Sequence, residues 1–183
     1  MRVGRMTASA GSCGIGVAST RASAVHDAVC ELRTALSGEF QHIVAFFSTD
    51  YDVAELAAGL SEAFPGVTVS GCTASGAIGP SGLLETGVLL IAFPQQGFRI
   101  HTGVIADVGA CGVERAGQVV REIKGRMGVR DSDKLADRVF GIMLVDGLSS
   151  AEETLVGAVH WACGDVQLIG GTPGGAGGLP PTS

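Results

Sequence analysis

Two stretches of the chain, residues 43–76 and 142–175, show the same succession of patterns at a constant offset of 99 residues. Each starts with an apolar run typical of a buried strand, followed by a polar turn with an Asp and a segment of helical apolar spacing. Each ends in a second short strand and a loop that carries Gly, Thr and Gly. Because such a crossover makes its two strands parallel, the repeat predicts an α/β fold. We expect a mixed, mainly parallel sheet with helices packed on it, built from a repeated βαβ unit.

Identical residues occupy seven aligned positions of the two stretches. The pairs are Ile43 with Ile142, Leu56 with Leu155, Ala63 with Ala162, Val67 with Val166, Gly71 with Gly170, Thr73 with Thr172 and Gly76 with Gly175. Ligands of open α/β sheets bind at the carboxyl ends of the strands. Both small-residue loops, with the Asp50 and Asp146 turns, are therefore expected at one edge and in one pocket. The alternative is two copies of a common αβ unit that share no site.

The remaining segments suggest further elements around the repeat. Residues 13–18 predict a strand, and Ser19 and Thr20 are expected to cap a helix over residues 22–37. Residues 86–93 and 98–106 predict an antiparallel hairpin, and residues 112–127 predict a helix. Asp52 with Glu55, and Ser150 with Glu153, have the spacing of capping boxes.

Composition limits the classes of protein that this chain can be. A length of 183 residues predicts one domain, residues 13–172, between a disordered tail (1–12) and a Gly/Pro-rich tail (173–183). A formal charge of −6 with thinly spread cations argues against nucleic-acid binding. The sequence contains no run of 18 apolar residues, so we expect no membrane span. Five scattered cysteines without CxxC spacing favour a reduced, cytoplasmic chain without a metal site.

Few residues suggest catalysis. Cys72 follows a strand, as a nucleophile can, but no helix pattern follows it and GxSxG spacing is absent, so a buried small residue is the simpler interpretation. GxxxxGK[ST] and GxGxxG phosphate loops are absent too. Asp50 and Asp146 are suited to binding a ligand ammonium group or to forming turns. His160, and after it His101, are weak haem-ligand candidates, because haem needs an axial histidine and an apolar cavity.

Four segments together resemble the N-terminal half of the FIST sensory domain. They are Phe46–Tyr51, Gly71–Gly76, Val145–Glu153 and Leu168–Thr172. The resemblance spans roughly residues 14–172 and implies an intracellular, non-catalytic signal-input domain. It implies binding of a small molecule such as an amino acid or related metabolite, and signalling through a partner such as a histidine kinase. Some relatives bind haem and sense nitric oxide.

The chain departs from the family pattern after Thr172, where members continue into further strands and a C-terminal half. A truncated, non-functional fragment is therefore one alternative hypothesis. A haem-binding nitric-oxide sensor and a Cys72-dependent enzyme are the others. The favoured hypothesis is a ligand-binding sensory domain without catalysis, cofactor, nucleic-acid partner or membrane span. Its predicted ligand-binding residues are Asp50, Gly71, Cys72, Thr73, Ser75, Asp146, Gly170, Gly171 and Thr172.

Overall fold

Four helices and ten strands form within the residues described by the computed structural model, which are 7–11, 13–106, 113–130, 133–145, 152–171 and 178–179. The helices are α1 (Val25–Ala35), α2 (Val53–Ala63), α3 (Val113–Met127) and α4 (Glu152–Cys163). The strands are β1 (Thr7–Ala10), β2 (Gly16–Thr20), β3 (Phe40–Phe47), β4 (Thr68–Thr73), β5 (Ala77–Gly79), β6 (Gly82–Leu84), β7 (Val88–Pro94), β8 (Phe140–Leu144), β9 (Gln167–Gly171) and β10 (Gly178–Leu179).

The chain divides into two compact units, Met1–Ile100 with Pro173–Ser183, and His101–Thr172. The first unit contains a six-stranded sheet of order β1-β2-β7-β3-β4-β10 and the small β5–β6 sheet. The second contains the β8–β9 sheet. Strands β1 and β10 lie within the stretches expected to be tails, and pair with β2 and β4 respectively.

The six-stranded sheet is mixed, and neither its mainly parallel character nor a repeated βαβ unit is confirmed. Only β3 and β4 pair in parallel, whereas β1–β2, β2–β7, β7–β3 and β4–β10 are antiparallel. The apolar runs predict strands that are buried on both faces, which is correct for β3 and β7 but wrong for β8, whose residues are exposed or half-buried. Burial, however, does not determine strand direction. The chain after β4 reverses and inserts β7 between β2 and β3.

The main core lies between this sheet and helices α1 and α2. Side chains alternate along a strand, so Ile43, Ala45 and Phe47 of β3 share the face that joins this core. Helix α2 begins at the predicted cap, where the Asp52 carboxylate accepts a hydrogen bond of 2.8 Å from the Glu55 amide. The prediction that Ser19 and Thr20 cap α1 is wrong: both belong to β2, and Ala24 occupies the N-cap without a side-chain bond.

The predicted hairpin of residues 86–93 with 98–106 is also wrong. Both edges of β7 are occupied, by β2 and β3, so residues 98–106 cannot pair with β7. The side chain of Gln41 pairs with their backbone instead, since its Oε1 accepts from the Ile100 amide at 2.7 Å and its Nε2 donates to the Phe98 carbonyl at 3.3 Å. Hairpins form elsewhere, at β1–β2 and at β5–β6, and the strands of β5–β6 are too short to give an alternating pattern.

The second unit contains helices α3 and α4 and the two-stranded parallel sheet β8–β9. Its apolar cluster includes Ala116 and Val120 of α3 and Leu155, Ala158 and Val159 of α4. Helix α3 agrees with the prediction for residues 112–127. Ser150 of the predicted capping box lies outside the described residues. Among the described helices of the chain, none is long and apolar enough to cross a membrane.

The sheet face opposite α1 and α2 holds a buried histidine, His42. His42 of β3 is 4% exposed, and its Nε2 lies 2.8 Å from the hydroxyl oxygen of Ser70 on β4. Burial lowers the pKa of His42 from its ordinary value of 6.5, because desolvation disfavours the imidazolium. The folded chain therefore favours a neutral imidazole at this position.

We expect the free energy of unfolding to fall as the pH drops below about 6.5, because the unfolded chain then binds more protons at His42 than the folded chain does. The loss is complete below the lowered pKa of the folded state. His42→Gln keeps a hydrogen-bonding group but removes this titration. Urea unfolding between pH 5 and 7.5 should therefore give a flatter profile for His42→Gln than for the wild type. The exposed His26→Gln is the control, and equal slopes for all three chains would contradict the prediction.

Candidate functional site

The carboxyl ends of the parallel strands β3 and β4 meet at one edge of the six-stranded sheet. The Ala74 amide donates to the Phe47 carbonyl at 2.8 Å, which continues the β3–β4 pairing into the loop after β4. The Ser48 amide donates to the Gly87 carbonyl at 2.9 Å, which attaches the start of β7 to the same edge. Three chain segments therefore converge here, at the position where α/β folds bind ligands.

A small cavity of about 10 Å³ lies at this edge. That volume is room for about one water molecule. The walls come from the ends of β3 and from the segment that joins β4 to β7. The lining residues are Phe46, Phe47, Ser48, Ala74, Gly76, Ala77, Leu84, Glu85, Thr86 and Gly87.

Carboxylates border this cavity. Glu85 lines it directly, and Asp50 is attached to another lining residue, since the Ser48 hydroxyl donates to Asp50 Oδ2 at 2.8 Å. The Asp50 amide donates back to the Ser48 hydroxyl oxygen at 3.3 Å, which fixes the turn. Both acidic residues are exposed. The edge therefore offers negative charge and a hydroxyl beside a small, half-open cavity.

Tyr51, the residue after Asp50, attaches the same turn to the main core. Its hydroxyl donates to the Ala22 carbonyl, and its ring is buried in the main core. Burial raises the pKa of Tyr51, with further contributions from the charges of Asp50 and Glu31. The phenol therefore stays protonated and keeps its hydrogen bond, so the Asp50 turn rests on a fixed support.

The predicted small-residue loop is in part a strand. Gly71, Cys72 and Thr73 all belong to β4 and are buried, whereas Ser75 is in the loop and exposed. Gly71 has a packing role: a β-carbon at this position would lie 2.0 Å from the Ala45 carbonyl oxygen of β3. The glycine is thus required by the approach of the neighbouring backbone, and this requirement explains it without a ligand.

The second predicted loop shows the same close approach. Gly170 and Gly171 belong to β9, and a β-carbon at Gly170 would lie 1.8 Å from the Met143 carbonyl oxygen of β8. Asp146 and Thr172 lie outside the described residues. Strands β4 and β9 belong to different sheets, so the expectation that both loops lie at one sheet edge is not confirmed.

Cys72 is poorly placed to act as a nucleophile. It is 4% exposed, and burial raises the pKa of its thiol, which disfavours the reactive thiolate. Cys13, Cys30 and Cys163 are also free thiols, and Cys111 lies outside the described residues. The described part of the chain holds no group of three or more His, Cys, Asp or Glu side chains arranged for a metal ion.

The haem alternative does not fit the histidines. His160 is exposed on α4 beside Trp161, whose side chain is 87% exposed, so this region is surface and not an apolar pocket. His101 is half-buried in a segment without regular structure. No histidine lines the cavity at the β3–β4 edge.

Sequence reasoning missed the segment between β4 and β7, which forms much of the cavity wall. One signal was present at its end: Gly87 has a φ of +133°, and a β-carbon there would lie 2.0 Å from the Thr20 carbonyl oxygen. A glycine directly before an apolar strand is compatible with such a close approach. The sequence around Gly87 does not, however, show which segment of the backbone lies against this glycine.

The adjacent glycines Gly170 and Gly171 of β9 allow a test of whether the close approach of β8 requires a glycine. We expect Gly170→Ala to destabilise the chain by about 1–3 kcal/mol, because its β-carbon meets backbone that cannot move aside. Gly171→Ala, which has no atom within 4 Å of its β-carbon, should change stability by less than about 0.5 kcal/mol. Urea unfolding followed by circular dichroism measures both. Equal effects would show that the close approach is not the reason for Gly170.

Comparison with known proteins gives one family. A search of the curated proteins found no match. A search of the solved structures found none either. The family model of the FIST N domain matches residues 41–182, which include both β-α-β segments and the edge with the cavity. This match covers most of the chain, so the chain belongs to the FIST N domain family, a family of sensory domains.

Proposed function

We propose that this chain is the ligand-binding input domain of a signalling system, and that it recognises a small molecule such as an amino acid or related metabolite. The observation that carries the proposal is the cavity at the carboxyl ends of β3 and β4, in a member of a sensory family. Occupancy of this site is transmitted to a signalling protein, for which a histidine kinase is the proposed type.

The chemistry of the edge favours a ligand with a cationic group. The carboxylates of Asp50 and Glu85 would attract an ammonium group, and the Ser48 hydroxyl and the exposed Ser75 would supply hydrogen bonds. A cavity of about 10 Å³ is too small for an amino acid, so binding widens it.

The other predicted residues have different proposed roles. Gly71, Cys72 and Thr73 shape the site through β4 and do not present their side chains to the ligand, since all three are buried. Asp146, Gly170, Gly171 and Thr172 are proposed as a second set of contacts from the sequence repeat alone.

A role without catalysis is part of the proposal. The buried Cys72, with its raised pKa, gives no support to a thiolate mechanism. We also propose a cytoplasmic location, because Cys13 and Cys30 are exposed free thiols, which a reducing compartment maintains.

A thermal-shift screen of the amino acids and their amine derivatives tests the proposal. At a hundredfold excess over Kd, the true ligand should raise Tm by about 5–10 °C. Asp50→Asn removes the charge but keeps an oxygen for Ser48, so it should reduce the shift for a cationic ligand. Glu62→Gln, an exposed carboxylate of α2, is the matched control. A folded chain that no compound of the screen stabilises would argue against the proposed function.

A further inference from the structure

The β5–β6 hairpin is attached to the first unit differently from the other strands. It pairs only with itself and makes no ladder with the six-stranded sheet. It lies across β2 and β7 on the face opposite the helices, because a β-carbon at Gly79 would be 3.1 Å from Ser19 Oγ and 3.4 Å from Leu89 Cδ1. The hairpin therefore covers sheet residues through side-chain contact alone.

The two faces of the hairpin differ sharply in exposure. Leu84 points inward, is 4% exposed and lines the cavity. Ile78 and Leu83 form a cross-strand pair on the outer face and are 82% and 61% exposed. Because Leu84 is the only buried residue of the two strands, little apolar surface holds the hairpin down.

The hairpin is also held to the end of β2 by a polar contact. Arg21, directly after β2, donates from Nη2 to the Leu83 carbonyl at 2.6 Å. The bond is exposed to solvent, and its charged guanidinium donor makes it stronger than a hydrogen bond between neutral groups in the same setting. It joins the hairpin to the end of a strand that is itself fixed in the sheet.

The ends of the hairpin segment are anchored unequally. Gly87 is fixed, since its carbonyl accepts from the Ser48 amide and its α-carbon packs against the Thr20 carbonyl. At the other end Gly76 is exposed, and a β-carbon added there would have one atom within 4 Å, the Leu84 carbonyl oxygen at 3.3 Å. This end is anchored two residues earlier, by the bond from the Ala74 amide to the Phe47 carbonyl. Movement of the hairpin thus displaces the wall formed by Gly76, Ala77 and Leu84.

We infer that the β5–β6 hairpin is a lid over the proposed ligand site, held shut by the Arg21–Leu83 hydrogen bond. This inference rests on the proposed function for the identity of the site. Opening the lid enlarges the cavity and admits the ligand, and it breaks no hydrogen bond of the six-stranded sheet. Closing restores the bond from Arg21 and buries Leu84 again.

Thiol labelling of the full chain tests the lid without any ligand. Ser19→Cys places a thiol beneath the hairpin, and Ala18→Cys places one on the same strand but on the helix face. Each is treated with iodoacetamide under native conditions, and labelling is read by peptide mass spectrometry so that Cys13 and Cys30 do not interfere. Adding Arg21→Gln should speed labelling of the Ser19→Cys thiol by about tenfold, the effect of losing a charge-assisted bond.

Matched variants define the outcomes that would overturn the lid. Arg33→Gln, which removes a bond of the same type to the Leu36 carbonyl, should leave the labelling of Ser19→Cys unchanged. Equal labelling of the Ser19→Cys and Ala18→Cys thiols would show general unfolding. No acceleration by Arg21→Gln would show that the bond is not a latch. Leu89→Cys, beneath the same hairpin, replaces Ser19→Cys if that chain does not fold.

The two proposals can fail separately. Accelerated labelling in a chain that no metabolite stabilises supports the lid and counts against the proposed ligand. A metabolite that raises Tm, in a chain whose labelling does not respond to Arg21→Gln, supports the proposed function and overturns the lid.

Discussion

The close contact between the backbones of β3 and β4 is the constraint on which the described site depends. It requires a residue without a side chain at Gly71, opposite Ala45. The parallel pairing that results brings Ser48 and Ala74 to the same edge and allows Ala74 to bond to Phe47. If this contact were lost, the turn with Asp50 and the loop with Ser75 would no longer converge.

Periodicity predicted the secondary structure well where the chain buries a complete face. Helices α1, α2 and α3 and strands β3, β7 and β8 lie close to where the apolar patterns placed them. Asp52 was correctly identified as the cap of α2, because its carboxylate acts on a residue three positions away. Local chemistry of this kind is visible in the sequence.

Pairing between distant segments was not visible in the same way. Strand β7 has apolar residues on both faces, which is equally consistent with a hairpin and with a central strand. Because β7 is inserted between β2 and β3, it cannot form a hairpin with the segment that follows it. The backbone groups of Phe98 and Ile100 form hydrogen bonds with the side chain of Gln41 instead. The sequence also predicts a loop at Gly71, Cys72 and Thr73, where the structure has a strand. Small residues suggest turns, but here they permit a buried strand beside another backbone.

The two β-α-β segments differ by one residue in their registers. Ala45 faces Gly71 across 26 positions of sequence, whereas Met143 faces Gly170 across 27. The buried helix residues Leu56 and Leu155 keep the offset of 99, so the additional residue falls between β8 and α4. Counted from these facing pairs, Asp146 lies three residues after Met143, as Ser48 lies three residues after Ala45. The first segment thus has a hydroxyl where the second has a carboxylate, so an equivalent position in the two segments would present different chemistry to a ligand.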